Sequence, residues 1–189
     1  APAAAALRRS AAANGFGGRL TVLERIICED AQLSFSHRRH AADIAPWLHQ
    51  PGWQLSTGDA ADGELRCARL DDVLRDARVS VVDLMRVHVQ GAELSVLRSA
   101  ASLLRAGLVR AIAVAIFSKK LEPGRSQDPA AIGALLHRHG FELSYRGLAG
   151  AEALALLASG RGLPDGTTTL KAWLPPAPGD EERREPGKK

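Results

Sequence analysis

Apolar and polar positions along this chain repeat with two different periods, and the change between them marks the elements. Val79 to Val89 is a largely aliphatic run of the kind a buried strand presents. Beyond Gly91 the period lengthens. Leu94, Leu97, Ala101 and Leu104 fall on one face of a helix predicted over Ala92 to Ala106, and Gly107 supplies its stop. The same two signals continue downstream. Val109 to Phe117 reads as an apolar strand, Pro129 to His139 as a helix ended by Gly140, and Phe141 to Tyr145 as a strand. Ala151 to Ala158 reads as a helix and Thr167 to Leu174 as a last strand.

Upstream the pattern is less regular. Pro2 to Ala13 is alanine-rich with proline at its start, a helix closed by Asn14-Gly15. Leu20 to Cys28 is a buried-strand candidate, and Ala31 to Ser36 alternates as a short edge strand does. His37 to Glu64, with its prolines and glycines, reads as a long loop. Leu65 to Arg69 is a short strand leading into a helix over Leu70 to Asp76.

Strands separated by helices predict an α/β fold with a mostly parallel sheet and helices on both of its faces. Ligands of such folds sit beyond the carboxyl ends of the strands. That rim would carry Cys28-Glu29-Asp30, His88-Val89-Gln90-Gly91 and Phe117-Ser118-Lys119.

Composition narrows the function classes. A hydrophobic fraction of 46% supports a core, and with aromatics at 4% alanine and leucine must fill most of it. The 189 residues fit one domain over residues 1–174 and a proline-rich, charged tail over 175–189 that cannot pack. A net charge of +4, spread along the chain, does not point to a nucleic-acid partner. No apolar run approaches the roughly 20 residues that span a bilayer.

Cys28 and Cys67 are the only cysteines. They are expected to be reduced, with Cys28 a small buried hydrophobe. His37 and His40 in SHRRH are a weak metal signal, His137 and His139 face different ways, and no metal is expected. Trp47 and Trp53 are expected to pin their loop to the body.

RLDDVL at Arg69 to Leu74, followed after a spacer by VDLMRVHVQGAELSVLRSAASLL, resembles the FkbM-type S-adenosylmethionine-dependent methyltransferases. Leu70, Asp71, Asp72, Asp83, Gly91, Ala92, Glu93, Leu97 and Leu104 anchor the resemblance, which reaches from Pro2 to about Leu174. It implies a Rossmann-like class I methyltransferase fold whose first strand and glycine-rich turn would precede Ala1. Without them, the sheet would present an apolar edge for a partner or an upstream segment to cover. It also implies S-adenosylmethionine as cofactor and O-methyl transfer to a sugar or small metabolite. The family's strand-end carboxylates stand here as His88 and Gln90. That change leaves a second reading open, a degenerate and non-catalytic methyltransferase-like binding or interaction module.

The candidate catalytic residues are His88, Gln90 and Glu93. His88 and Gln90 would orient a substrate hydroxyl, and a histidine is a side chain able to serve as general base. Glu93 lies in the first turn of its helix, where the macrodipole favours it whatever its role. Glu29 and Asp30 are the cofactor candidates, since in the resembled fold their loop meets the adenine ring. Asp71 and Asp72 read first as helix-start residues, and Gly91 as a tight strand-to-helix turn.

Overall fold

The computed structural model describes residues 2–29, 34–36, 64–89, 91–117, 127–160 and 167–176. The predicted loop with SHRRH, Trp47 and Trp53 lies outside them, as do Asp30, Gln90, Ser118, Lys119 and most of the tail. The chain divides into two compact units, Ala1–Arg69 and Leu70–Lys189.

The first unit opens with α1 (Pro2–Ala13). Its end is closed by the Asn14 and Gly15 amides, which donate to Ser10 and Ala12, with Gly15 in the left-handed region. Of the strand predicted over Leu20 to Cys28, only β1 (Ile26–Ile27) forms. A strand needs a ladder partner, and the residues before Ile26 are held differently. Arg8 of α1 bonds the Glu24 carboxylate at 2.9 Å and the Val22 carbonyl at 3.1 Å, and Leu20 and Leu23 stay exposed. β2 (Ser34–Ser36) and β3 (Glu64–Ala68) complete a three-stranded sheet. β3 lies in its middle, parallel to β1 and antiparallel to β2. Cys28 departs from expectation: it is buried as predicted, but it is disulfide-bonded, and no free cysteine is found among the described residues. The reduced state expected of Cys28 is thus corrected.

The second unit begins with α2 (Leu70–Asp76) and β4 (Val82–Val87). The helix predicted as one piece over Ala92 to Ala106 is two, α3 (Glu93–Ser99) and α4 (Ala101–Arg105). Ala100 leaves helical geometry between them, at φ −102° and ψ 19°. The break is stabilised from a distance. Asp71 of α2 accepts from the Ser102 and Leu103 amides, both at 3.1 Å, and so caps α4 from another helix. Ser99 Oγ donates back to the Val96 carbonyl at 2.6 Å and accepts from the Leu70 amide at 3.2 Å. The apolar spacing runs on across Ala100, which is why the periodicity shows no break.

The remaining elements are β5 (Val109–Phe117), α5 (Pro129–Arg138), β6 (Glu142–Tyr145), β7 (Leu148–Ala149), α6 (Gly150–Ser159) and β8 (Thr167–Trp173). Asp128 caps α5, accepting from the Ala131 amide at 2.9 Å, with Pro129 at the first helical position. β6 and β7 form a hairpin through Arg146 and Gly147, both at positive φ as a two-residue turn requires.

The sheet of this unit runs in the order β4-β5-β8-β6-β7. It is α/β as predicted but mixed, not mostly parallel. β4 and β5 are parallel, whereas β5 with β8, β8 with β6, and β6 with β7 are antiparallel. An apolar strand buries equally well in either direction, so its pattern carries no direction.

The pairing also lines up one buried face. Met85, Ile112, Ala172 and Leu143 form one row across four strands, and Val87, Val114, Leu170 and Tyr145 the next. All eight are buried. On the other face Leu84 is 64% exposed and Trp173 is exposed, its indole N–H donating to Glu142 at 2.9 Å. The helices of this unit form one connected layer: α2 packs on α3 and α4, α3 on α5, and α5 and α6 on each other and on β6.

Gly133 sets the closeness of that last contact. A Cβ there would meet Leu157 Cδ1 at 2.9 Å and Leu154 Cδ2 at 3.3 Å. Gly133→Val should destabilise the unit by about 1–3 kcal/mol through overpacking, measured as a lower urea midpoint at unchanged slope. His139, at the end of α5, is held below its ordinary value of 6.5 by burial first and then by the charges of Arg105 and Arg138. Below that value the unfolded chain takes up a proton that the folded chain resists. His139 thus contributes stability above about pH 6.5 that is lost as pH falls through its folded value. The urea midpoint of His139→Gln should decline less steeply with acid than that of the wild type.

Candidate functional site

Because β4 and β5 are parallel, their carboxyl ends share one rim. His88 follows the last residue of β4 and is exposed. Its ring centroid lies 5.5 Å from that of Phe117, the last residue of β5, with the rings tilted by 40°. Arg86 stands two residues before His88 on the same side of the extended chain, and its Nη2 lies 3.2 Å from His88 Nδ1. A guanidinium has donors only, so Nδ1 is the acceptor in this pair. The neutral ring then carries its proton on Nε2 and presents a donor to whatever it meets.

Behind the exposed histidine is a completely buried carboxylate. Glu93, the first residue of α3, has 0% exposure. Its Oε1 accepts from the Val89 amide at 2.9 Å. Its Oε2 accepts from the Gly91 amide at 2.8 Å and from Gln127 Nε2 at 2.8 Å. Gly91 has φ 114°, a conformation in which a side chain would be strained, so the turn that brings its amide to Glu93 needs glycine. Gln127 also reaches β5, where Nε2 donates to the Ala115 carbonyl at 2.7 Å and Oε1 accepts from the Phe117 amide at 2.8 Å.

His88 and Glu93 are thus brought to one strand-to-helix turn, one facing outward and one inward. Gln127 was invisible to sequence reasoning. It stands just before the Asp128-Pro129 helix start and belongs to no pattern, so nothing in a single sequence singles it out. Glu29 is exposed after β1 in the other unit, and its carbonyl accepts from Arg69 at 2.6 Å. Gln90 and Asp30 lie outside the described residues. Asp71 serves the α4 start, and Asp72 pairs with Arg75 at 2.8 Å one turn along α2. Among the described residues no cluster of three or more His, Cys, Asp or Glu is placed to hold a metal ion. No helix there is long and apolar enough to cross a membrane.

In α/β domains ligands sit beyond the carboxyl ends of parallel strands, and here that rim carries an exposed imidazole backed by a buried carboxylate and an amide. Residues 17–143 match the family model described as the Methyltransferase FkbM domain. The chain belongs to the FkbM methyltransferase family, with a match narrower than the reach from Pro2 to about Leu174 that the sequence suggests. No curated protein and no solved structure matches it.

Removing the Glu93 carboxylate would leave two part-buried backbone amides and the Gln127 amide without their acceptor. Glu93→Ala should cost about 2–4 kcal/mol, read from chemical denaturation. Arg86→Ala, whose side chain is exposed, should leave stability within about 0.5 kcal/mol of wild type.

Proposed function

We propose that this chain transfers a methyl group from S-adenosylmethionine to the oxygen of a hydroxyl on a sugar or another small metabolite. The observation that carries the reading is the rim. In a chain of this family, two parallel strands end side by side, with an exposed imidazole beside an aromatic ring.

S-adenosylmethionine supplies a methyl group on a positively charged sulfur. The hydroxyl oxygen bonds to the methyl carbon as the carbon–sulfur bond breaks, and the hydroxyl proton is released to water. This chain's residues contribute chiefly position, which in such an in-line displacement supplies much of the rate. His88, held through Nδ1 by Arg86, directs its Nε2–H at a substrate oxygen. In that pairing it orients the substrate, and taking the proton itself would require Arg86 to release Nδ1. Gln90 shares the same segment and is assigned with His88 to the substrate. Glu93 acts behind them by holding the Val89 and Gly91 amides.

Glu29 and Asp30 are assigned to the adenine amine. An exposed carboxylate such as that of Glu29 has the acceptor chemistry that an exocyclic amine needs.

Titration calorimetry with S-adenosylmethionine, coupled to methyl-transfer assays on hydroxyl-bearing metabolites, tests this. A dissociation constant of about micromolar order is expected. Glu29→Gln should weaken it about tenfold. His88→Ala should leave it unchanged while lowering kcat/KM about 100-fold. A folded chain that produces no heat, or full turnover in His88→Ala, would end the proposal.

A further inference from the structure

β4 and β5 stay in register as far as Val87, which stands opposite Val114. Two residues further, Val89 would face Ile116 and bond the backbone groups on either side of it, as parallel strands do. It does not, because its N–H turns to Glu93 Oε1. Gln127 makes those bonds instead. Its Nε2 donates to the Ala115 carbonyl and its Oε1 accepts from the Phe117 N–H. These are the two bonds a peptide group of a parallel neighbour would make across from Ile116. The other Nε2 hydrogen closes the circuit onto Glu93 Oε2. Both donors and the acceptor of the carboxamide are in use, which fixes its orientation. β8 meanwhile keeps β5 paired through Phe117.

We propose that Gln127 is the positioning residue of this rim. It occupies the ladder place that Val89 vacates and anchors Glu93. By doing so it keeps β4 turned away from β5 and sets His88 against Phe117. The importance of that placement rests on reading His88 as a substrate-orienting group, whereas the placement itself can be measured without any reaction.

The experiment uses the full chain, isotopically labelled, in solution NMR. Its readouts are exchange at the Val89, Gly91 and Phe117 amides and the ring-proton shifts of His88, which the Phe117 ring perturbs. Gln127→Ala should speed exchange at those amides about tenfold and move the His88 shifts, with the Ile132 and Leu136 amides unchanged.

Gln127→Met separates the hydrogen bonds from mere bulk, because it fills similar space with no N–H donor and no carbonyl acceptor. Its His88 shifts and its exchange at Val89, Gly91 and Phe117 should depart from wild type as those of Gln127→Ala do. Unmoved His88 shifts in a folded Gln127→Ala chain overturn the proposal. So does a folded Gln127→Met chain whose His88 shifts match wild type, and this comparison decides alone if the alanine variant does not fold. Failure to bind S-adenosylmethionine, by contrast, would remove the proposed function and leave the NMR result to decide this inference.

Discussion

A carboxylate taken wholly out of water must find donors nearby, and at Glu93 that requirement organises the strand-end region. Leaving such a group unpaired costs several kcal/mol. Here its partners come from three places in the chain: the residue Val89 just past β4, the glycine turn at Gly91, and Gln127 ahead of α5. Satisfying one group therefore orders three segments together. Gln127 carries the constraint on to the end of β5, where its remaining bonds hold Ala115 and Phe117.

Asp71 follows the same logic on a smaller scale. Its carboxylate serves the first amides of α4, so the helix break at Ala100 has a cause outside the helix. Two acids that stand out in the motif-bearing part of the sequence thus hold backbone amides. Among the described residues of the rim, Arg86 and His88 are polar side chains that face outward. Both offer hydrogen-bond donors in this geometry.

Much of the fold could be read from local patterns. α2 and β5 have the bounds that side-chain period predicts, α5, β6 and β8 depart from theirs by one residue at one end, and β3 and α6 by one residue at each end. The outward position of His88 at the end of a strand was equally accessible, because an apolar run giving way to polar residues marks where a strand leaves the core. Three features were not accessible. They were the antiparallel return of β8, the break in the Ala92 to Ala106 helix, and the disulfide at Cys28.

The sequence by itself determined which segments are strands or helices, which of their faces are apolar, and where turns such as Gly91 must bend. Those are properties of neighbouring side chains and of one residue's own backbone freedom. Only the tertiary structure decided which strand meets which, in what direction, and that Gln127 takes a place in the ladder beside residues far from it in the chain. Gln127 and Glu93 are 34 residues apart. A bond between them exists only once two strands and the helices that follow them have packed, so no local period could announce it.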